Sequence, residues 1–387
     1  RTAIADAGID ASEIDGIWLG HLNGGFVPEI FCSSIVLQAD DGLRWKPATR
    51  VENACSSGAA AIFTAVNAVE AGQCQIALVV GAEKMTSVSG PEVTRILGSA
   101  SYVREEAAIG LTFPGIFGHI AQAYFERYGD HSSTLAHIAA KNHANGVANP
   151  WAHIRRDFGF DFCNTVSDKN PLIAPPLRKT DCSMVSDGAA ALIIVNDKLL
   201  PRFRRGIKFR ARSHVNDFLP MSRRDILGFE GPQRAWHEAL AKAGCTIDDL
   251  SLAEVHDCFT IAELLTYEAM GLAPAGQGAR VLEDGTVYAS GRLPVNRSKP
   301  FSALPGEGIL LQASRTLSGS AGTRRPVGRH DAVLHRAPQQ IDLGGRRPTD
   351  LDVLHPDPGD VLLRRGVCDA ETFGHGLQRQ ARRVQTQ

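Results

Sequence analysis

The sequence predicts a layered, mostly parallel α/β fold made of two similar halves. Three observations lead there. Residues 76–80 and 190–195 are continuous apolar runs, as strands buried on both faces require. Helical segments alternate with them, and the one at 58–70 is apolar on nearly every face. The spacing of Ala7-Gly8 to Glu13-Ile14 recurs as Ala243-Gly244 to Asp249-Leu250, a weak internal repeat.

Taken in order, residues 1–8 read as a helix end with Gly8 as its C-terminal stop, and 14–19 as a strand. The Ala-rich helix 58–70 follows, ended by Gly72. Strands 76–80 and 190–195 form the centre of the sheet. Residues 202–210, rich in Arg, link the halves; they fit a solvated linker or a phosphate-binding patch. A helix closes over 236–243 at Gly244, and Asp248-Asp249 turns the chain into a strand at 252–255. Thr260 with Glu263 is a capping-box signature, so a helix is predicted over 261–270, ended by Gly271.

Composition narrows the function classes. The chain has 387 residues, with 41 Lys plus Arg against 42 Asp plus Glu, so a generally basic nucleic-acid binder is excluded. No apolar run reaches the about 18 residues of a membrane span. Eight cysteines without a C-x-x-C pair argue against a disulfide scaffold and a zinc site. His131, His137 and His143 recur every six residues, which does not place them on one helix face. No metal is expected, and the expected setting is a reduced, cytoplasmic one. The start at Arg1 rather than Met reads as truncated.

The character of the chain changes near residue 297. Residues 1–296 hold 8 Lys and 19 Arg, whereas 297–387 hold 1 Lys and 13 Arg and only two aromatics, Phe301 and Phe373. Turn pairs such as Asp357-Pro358-Gly359 interrupt that stretch. A disordered appendage and a shifted reading frame both fit such a composition. The resulting division is 1–200, 201–296, and an atypical tail 297–387.

Cys55, in Val51-Glu52-Asn53-Ala54-Cys55-Ser56-Ser57-Gly58, stands at the start of the Ala-rich helix. The unpaired amides there carry partial positive charge, which favours a thiolate and can hold an oxyanion. From position alone, a buried structural cysteine fits as well. His256 lies between the strand at 252–255 and the helix at 261–270, where open α/β folds build sites. A lone histidine there also fits a structural hydrogen-bonding role.

The Cys55 segment resembles the nucleophile segment of the thiolase superfamily, in particular the sterol-carrier-protein-2-type thiolases and acetyl-CoA acetyltransferase-like relatives. Gly81-Ala82-Glu83-Lys84-Met85, Ser186-Asp187-Gly188-Ala189-Ala190 and Glu254-Val255-His256-Asp257-Cys258-Phe259 support it, in order, over about residues 1–296. The resemblance implies a duplicated α-β-α-β-α layered fold, whose N-terminal strand and C-terminal part are incomplete here. It implies acyl transfer from an acyl-CoA or 3-ketoacyl-CoA through an acyl-cysteine on Cys55, with His256 helping to hold the thioester oxygen. Coenzyme A thioesters would be substrates, with no tightly bound cofactor, no nucleic-acid partner and a homodimeric assembly. The family's activating base sits in a Gly-His-Pro motif expected about ten residues beyond Asn296; neither that motif nor a later Cys-x-Gly segment follows. A poor or inactive catalyst is therefore expected. A non-catalytic acyl-CoA-binding remnant and a ketoacyl-synthase-like condensing enzyme are the alternatives.

Overall fold

The computed structural model describes residues 1–204 and 206–297, together with the backbone of 361–366. Strands β1 (Gly16–Gly20), β2 (Ala48–Val51) and β3 (Ile76–Glu83) come first in the chain. After them come a small hairpin, β4 (Leu172–Ala174) with β5 (Leu177–Arg178), then β6 (Gly188–Asn196), β7 (Ile207–Lys208) and β8 (Val361–Gly366). Six strands form one sheet in the order β2-β1-β3-β6-β8-β7. β1 is parallel to β2 and β3, but β3–β6, β6–β8 and β7–β8 are antiparallel, so the sheet is mixed and not mostly parallel. An apolar run reports burial on both faces and says nothing of strand direction; both central strands have that burial.

The period-2 geometry of β3 and β6 divides their side chains between two cores. Ala77 and Val79 of β3, with Ala190, Leu192 and Ile194 of β6, pack with Ala61, Ala65, Val66 and Val69 of the helix Ser57–Glu70. Ile76 and Leu78, with Ala191, Ile193 and Val195, face the other way, toward Ala3, Ile4 and Ala7 of the helix Thr2–Ala7. The Ser57–Glu70 helix is not apolar all round. Thr64, Asn67 and Glu70 form an exposed stripe, and Arg212 donates to Asn67 Oδ1 (3.0 Å) and Glu70 Oε1 (2.8 Å).

A third core joins the helices Phe113–Tyr128, Ser132–Gly146 and Thr260–Ala269 through Ile120, Tyr124, Ile138, Ile261, Leu264 and Leu265. It carries the His256 loop.

The internal repeat is structural as well as sequential. The helices Thr2–Ala7 and Glu230–Ala243 both stop at a left-handed glycine, Gly8 (φ 67°) and Gly244 (φ 61°). Each is followed by a one-turn 3₁₀ segment with a capping box, Asp10 to Glu13 and Thr246 to Asp249. The copies then diverge. The first runs into β1. The second, expected as a strand at 252–255, makes among the described residues only a parallel bridge between Ala253 and Val295. Ala253 N donates to Pro294 O and Asn296 N to Ala253 O, both 2.9 Å. Beyond the bridge, Val255 N donates to the Asn296 side-chain oxygen (2.8 Å).

The expected capping box at Thr260 is also replaced. Phe259 is the N-cap residue and makes no side-chain cap bond. Thr260 Oγ1 donates to Asp181 (2.9 Å), and Glu263 turns into the core. Of the tail, β8 pairs with β6 and β7; the segment expected to hold a Gly-His-Pro motif lies outside the described residues. Among the described residues no helix is long and apolar enough to cross a membrane.

Candidate active site

Cys55 lies in a tight turn between β2 and the helix Ser57–Glu70. Ser57 forms the turn: its Oγ donates to Ala54 O (2.7 Å) and accepts from Asn53 N (2.9 Å). Ser56 N donates to Asn53 O (2.9 Å). Ala54 takes φ 47°, a left-handed conformation that costs an alanine about 1–2 kcal/mol, directly before the cysteine. Gly20, the last residue of β1, lets the helix start come close. A Cβ at Gly20 would stand 2.7 Å from Ser57 O and 2.8 Å from Gly58 Cα. The turn therefore rests on the C-terminal edge of the sheet, as its parallel strands dictate.

The thiol of Cys55 behaves differently from the sequence expectation. Burial pushes it up to about 11, and the nearby Glu83 carboxylate adds to the rise. The direction is opposite to the thiolate-favouring effect expected from the helix start alone.

His256 sits in the loop between the Ala253 bridge and the helix Thr260–Ala269, half-buried. A buried polar network fixes that loop. Asn142 Nδ2 donates to Asp257 Oδ2 (3.0 Å) and to Glu263 Oε2 (2.6 Å). Asn296, which holds Val255 N, donates to Glu263 Oε2 at 2.9 Å. Lys141 Nζ lies 2.8 Å from Glu263 Oε1 and donates to Val295 O (3.0 Å) and Asn142 Oδ1 (2.6 Å). Tyr267 donates to the same carboxylate. Burial opposes the charge of Glu263, yet Lys141, with bonds from Tyr267 and Asn142, holds its carboxyl below the ordinary value.

One cavity of about 740 Å³ gathers the two segments. Asn53 and Ser56, on either side of Cys55, line it together with Glu254, His256 and Cys258. Phe63, Phe117 and Trp236 supply apolar walls. Phe117 is stacked on Phe259 at 4.4 Å between ring centroids, which ties the wall to the histidine loop. Asn53 Nδ2 lies 3.0 Å from His214 Nε2. Lys208 and Arg210, read from sequence as part of a linker or a phosphate patch, are on the cavity wall. The other histidines part company: His131 meets Tyr124, His137 stacks on Phe160 and His143 meets Phe158 edge-on. Among the described residues no group of three or more His, Cys, Asp or Glu could hold a metal.

Sequence reasoning did not single out Asn53, His214, Phe117 or the Lys141–Glu263 pair. The only sequence signal for the pair was Glu263, which was read as a cap. His21 and Glu83 were also missed as a pair. They follow or end neighbouring strands 62 positions apart, and only β1–β3 pairing joins them.

Cys55 itself is not on the cavity wall, but its neighbours Asn53 and Ser56 share that wall with the His256 loop, at the C-terminal edge of the parallel strands of a layered α/β fold. The chain is a member of the thiolase family. Residues 1–158 match the family model for the thiolase N-terminal domain, and 213–336 match that for the thiolase C-terminal domain-like family. The second match continues past Asn296, where the resemblance read from motifs stopped. The acetyl-CoA acetyltransferase of Methanothermobacter thermautotrophicus is 34% identical over 345 residues, 86% of this chain and 88% of that protein. Sterol carrier protein 2 of Bos taurus is 29% identical over 370 residues, 89% of this chain but 65% of that protein. Among solved structures, the Ltp2-ChsH2(DUF35) aldolase superposes with a TM-score of 0.64 at 21% identity, covering 76% of this chain and 75% of that one. Acetyl-CoA acetyltransferase from Syntrophomonas wolfei gives 0.57 at 16%, covering 81% and 85%. At those identities the structures show a shared fold.

Proposed function

We propose that this protein is an acyltransferase that takes an acyl group from an acyl-CoA or 3-ketoacyl-CoA onto Cys55. The observation that carries the reading is the shared cavity: the turn that holds Cys55 and the loop that holds His256 come from distant parts of the chain and line one space. The Cys55 sulfur, once deprotonated, attacks the thioester carbonyl of an acyl-CoA, the C–S bond to coenzyme A breaks, and its sulfur leaves and takes a proton. With a 3-ketoacyl-CoA the sulfur attacks the 3-keto carbon instead, the C2–C3 bond breaks, and acetyl-CoA leaves as a carbanion that takes a proton. Either way an acyl-cysteine remains. The thiol of a second coenzyme A, or the carbanion of an acetyl-CoA that has lost an α-proton, then takes the acyl group and returns the electron pair to Cys55. His256 stabilises the oxyanion of the tetrahedral stage. Lys208 and Arg210 suit the phosphates of coenzyme A at the cavity wall. The homodimer expected of this family and a cytoplasmic setting are part of the same proposal.

The test is acylation. Purified protein is incubated with acetyl-CoA or acetoacetyl-CoA, then read by intact mass and peptide mapping, with Cys55→Ala as control. An acetyl group confined to Cys55 is expected. Soluble, folded protein that never acquires it refutes covalent transfer and leaves coenzyme A binding as the role of the cavity.

A further inference from the structure

His21 and Glu83 stand where β1 and β3 run out, against the turn that carries Cys55. His21 follows Gly20 directly, and Gly20 is the residue on which the backbone of Ser57 and Gly58 rests. His21 N donates to Val51 O (3.2 Å), the residue that opens the Cys55 segment. Glu83 is the last residue of β3, and its negative charge reaches Cys55. Both side chains are shut off from water, at 3% and 0% exposure. His21 Nδ1 lies 2.6 Å from Ala82 O and 3.3 Å from Glu83 Oε1. Glu83 Oε1 also accepts from Leu22 N and from Asn23 N. His21 Nε2 is buried with no partner among the described residues.

A buried carboxylate next to a nucleophilic sulfur is a poor arrangement by itself, because like charges disfavour the thiolate. A cation beside the carboxylate removes that difficulty. We propose that His21 and Glu83 act as a charge-balanced pair of positioning residues for Cys55: Glu83 orients the imidazolium, and the imidazolium offsets the negative charge of Glu83 at the nucleophile. This rests on Cys55 being the nucleophile. The rest of the surroundings agree with the pairing. Burial alone would push His21 down, but Cys32, Glu83 and the Ala82 carbonyl raise it to about 10. The other titratable and charged groups near the turn are Arg50 of β2, which donates to Leu22 O (3.2 Å), and Glu52, whose Oε1 accepts from Ala54 N. Lys84 pairs with Asp187, His214 meets Asn53, and His256 lies across the cavity.

The test uses the pH dependence of Cys55 alkylation by iodoacetamide, followed on the Cys55 peptide by mass spectrometry. Alkylation needs no thioester, so it is read independently of acyl transfer: shifted profiles without an acetyl adduct would leave the pair standing and sink the acyltransferase reading. Glu83→Gln should move the profile down by about one pH unit, a roughly tenfold faster reaction at fixed pH below it. His21→Gln should move it up by about as much, and the double variant should lie between the two. Profiles of Glu83→Gln and wild type that superimpose overturn the proposal, as does a His21→Gln shift in the same direction as Glu83→Gln. Wild-type protein gives a check free of folding defects: ¹⁵N NMR of the histidine side chains should show His21 as an imidazolium from pH 6 to 8. A neutral His21 at pH 7 would refute the pairing.

Discussion

Replacing Lys141 by methionine removes the one cation of the network under the His256 loop while nearly keeping its volume. The Lys141 side chain is 1% exposed and that of Glu263 0%, at 2.8 Å. Without Lys141, Glu263 keeps its bonds from Asn142, Asn296 and Tyr267 but faces no charge, and Val295 O and Asn142 Oδ1 lose a donor. Breaking a buried pair on one side costs about 3–5 kcal/mol. The pH dependence gives the sign. In the wild type the carboxyl of Glu263 is held below its ordinary value, so its contribution is present above about pH 4.3 and is lost as pH falls through the lower folded value. In Lys141→Met the folded carboxyl rises above the unfolded one, so the deficit is largest at neutral pH and shrinks on acidification. Urea unfolding of both proteins at pH 7 and pH 5 measures this. Lys141→Met/Glu263→Gln, with no unpaired charge, should recover much of the loss. A loss at pH 7 under about 1 kcal/mol, or a deficit that grows on acidification, would refute the reasoning.

The remaining predictions concern the site itself. Gly20→Ala puts a Cβ 2.7 Å from a backbone oxygen; overpacking there should cost about 1–3 kcal/mol in thermal or urea unfolding and lower Cys55 acylation. His256→Ala should leave the melting temperature near wild type and slow acylation about 10²–10³-fold, as loss of an oxyanion donor does; unchanged acylation removes His256 from the mechanism. Because the histidine is raised from 6.5 to about 10, the His21–Glu83 pair contributes stability that is complete below about pH 6.5 and disappears as pH rises through about 10. Alkaline unfolding should thus be flatter in His21→Gln than in the wild type.

What could be read in the chain and what could not divide along physical lines. β3 and β6 were visible because burial on both faces leaves long apolar runs, and the Ser57–Glu70 helix because its packed side is a dense run of Ala, Ile and Val. The ends of the two repeated helices were visible because only glycine takes their left-handed stop without strain, at Gly8 and Gly244. Strand direction was not visible, since an antiparallel β6 reads as apolar as a parallel one. The expected capping box failed for a different reason. Thr260 and Glu263 have the right spacing, but Lys141, Asn142 and Asn296 compete for the carboxylate, and their approach depends on packing of distant segments. The segment 252–255 was apolar enough for a strand, yet a strand also needs a partner ladder, and among the described residues it makes one bridge, beyond which Val255 N donates to the Asn296 side chain.

For the site, sequence alone determined which residue is the candidate nucleophile: a cysteine at the head of a helix, among small neighbours, is a local pattern. It also determined the family, through motifs that are contiguous in the chain. Only the tertiary structure decided the chemical state of that cysteine. Burial and the Glu83 carboxylate, which β3 brings from 28 positions away, push its thiol up, a direction the local helix pattern does not display. Likewise the balance of His21 against Glu83 and the meeting of the Cys55 turn with the His256 loop exist only once strands pair and helices pack, because charge acts through space while sequence records order along the chain.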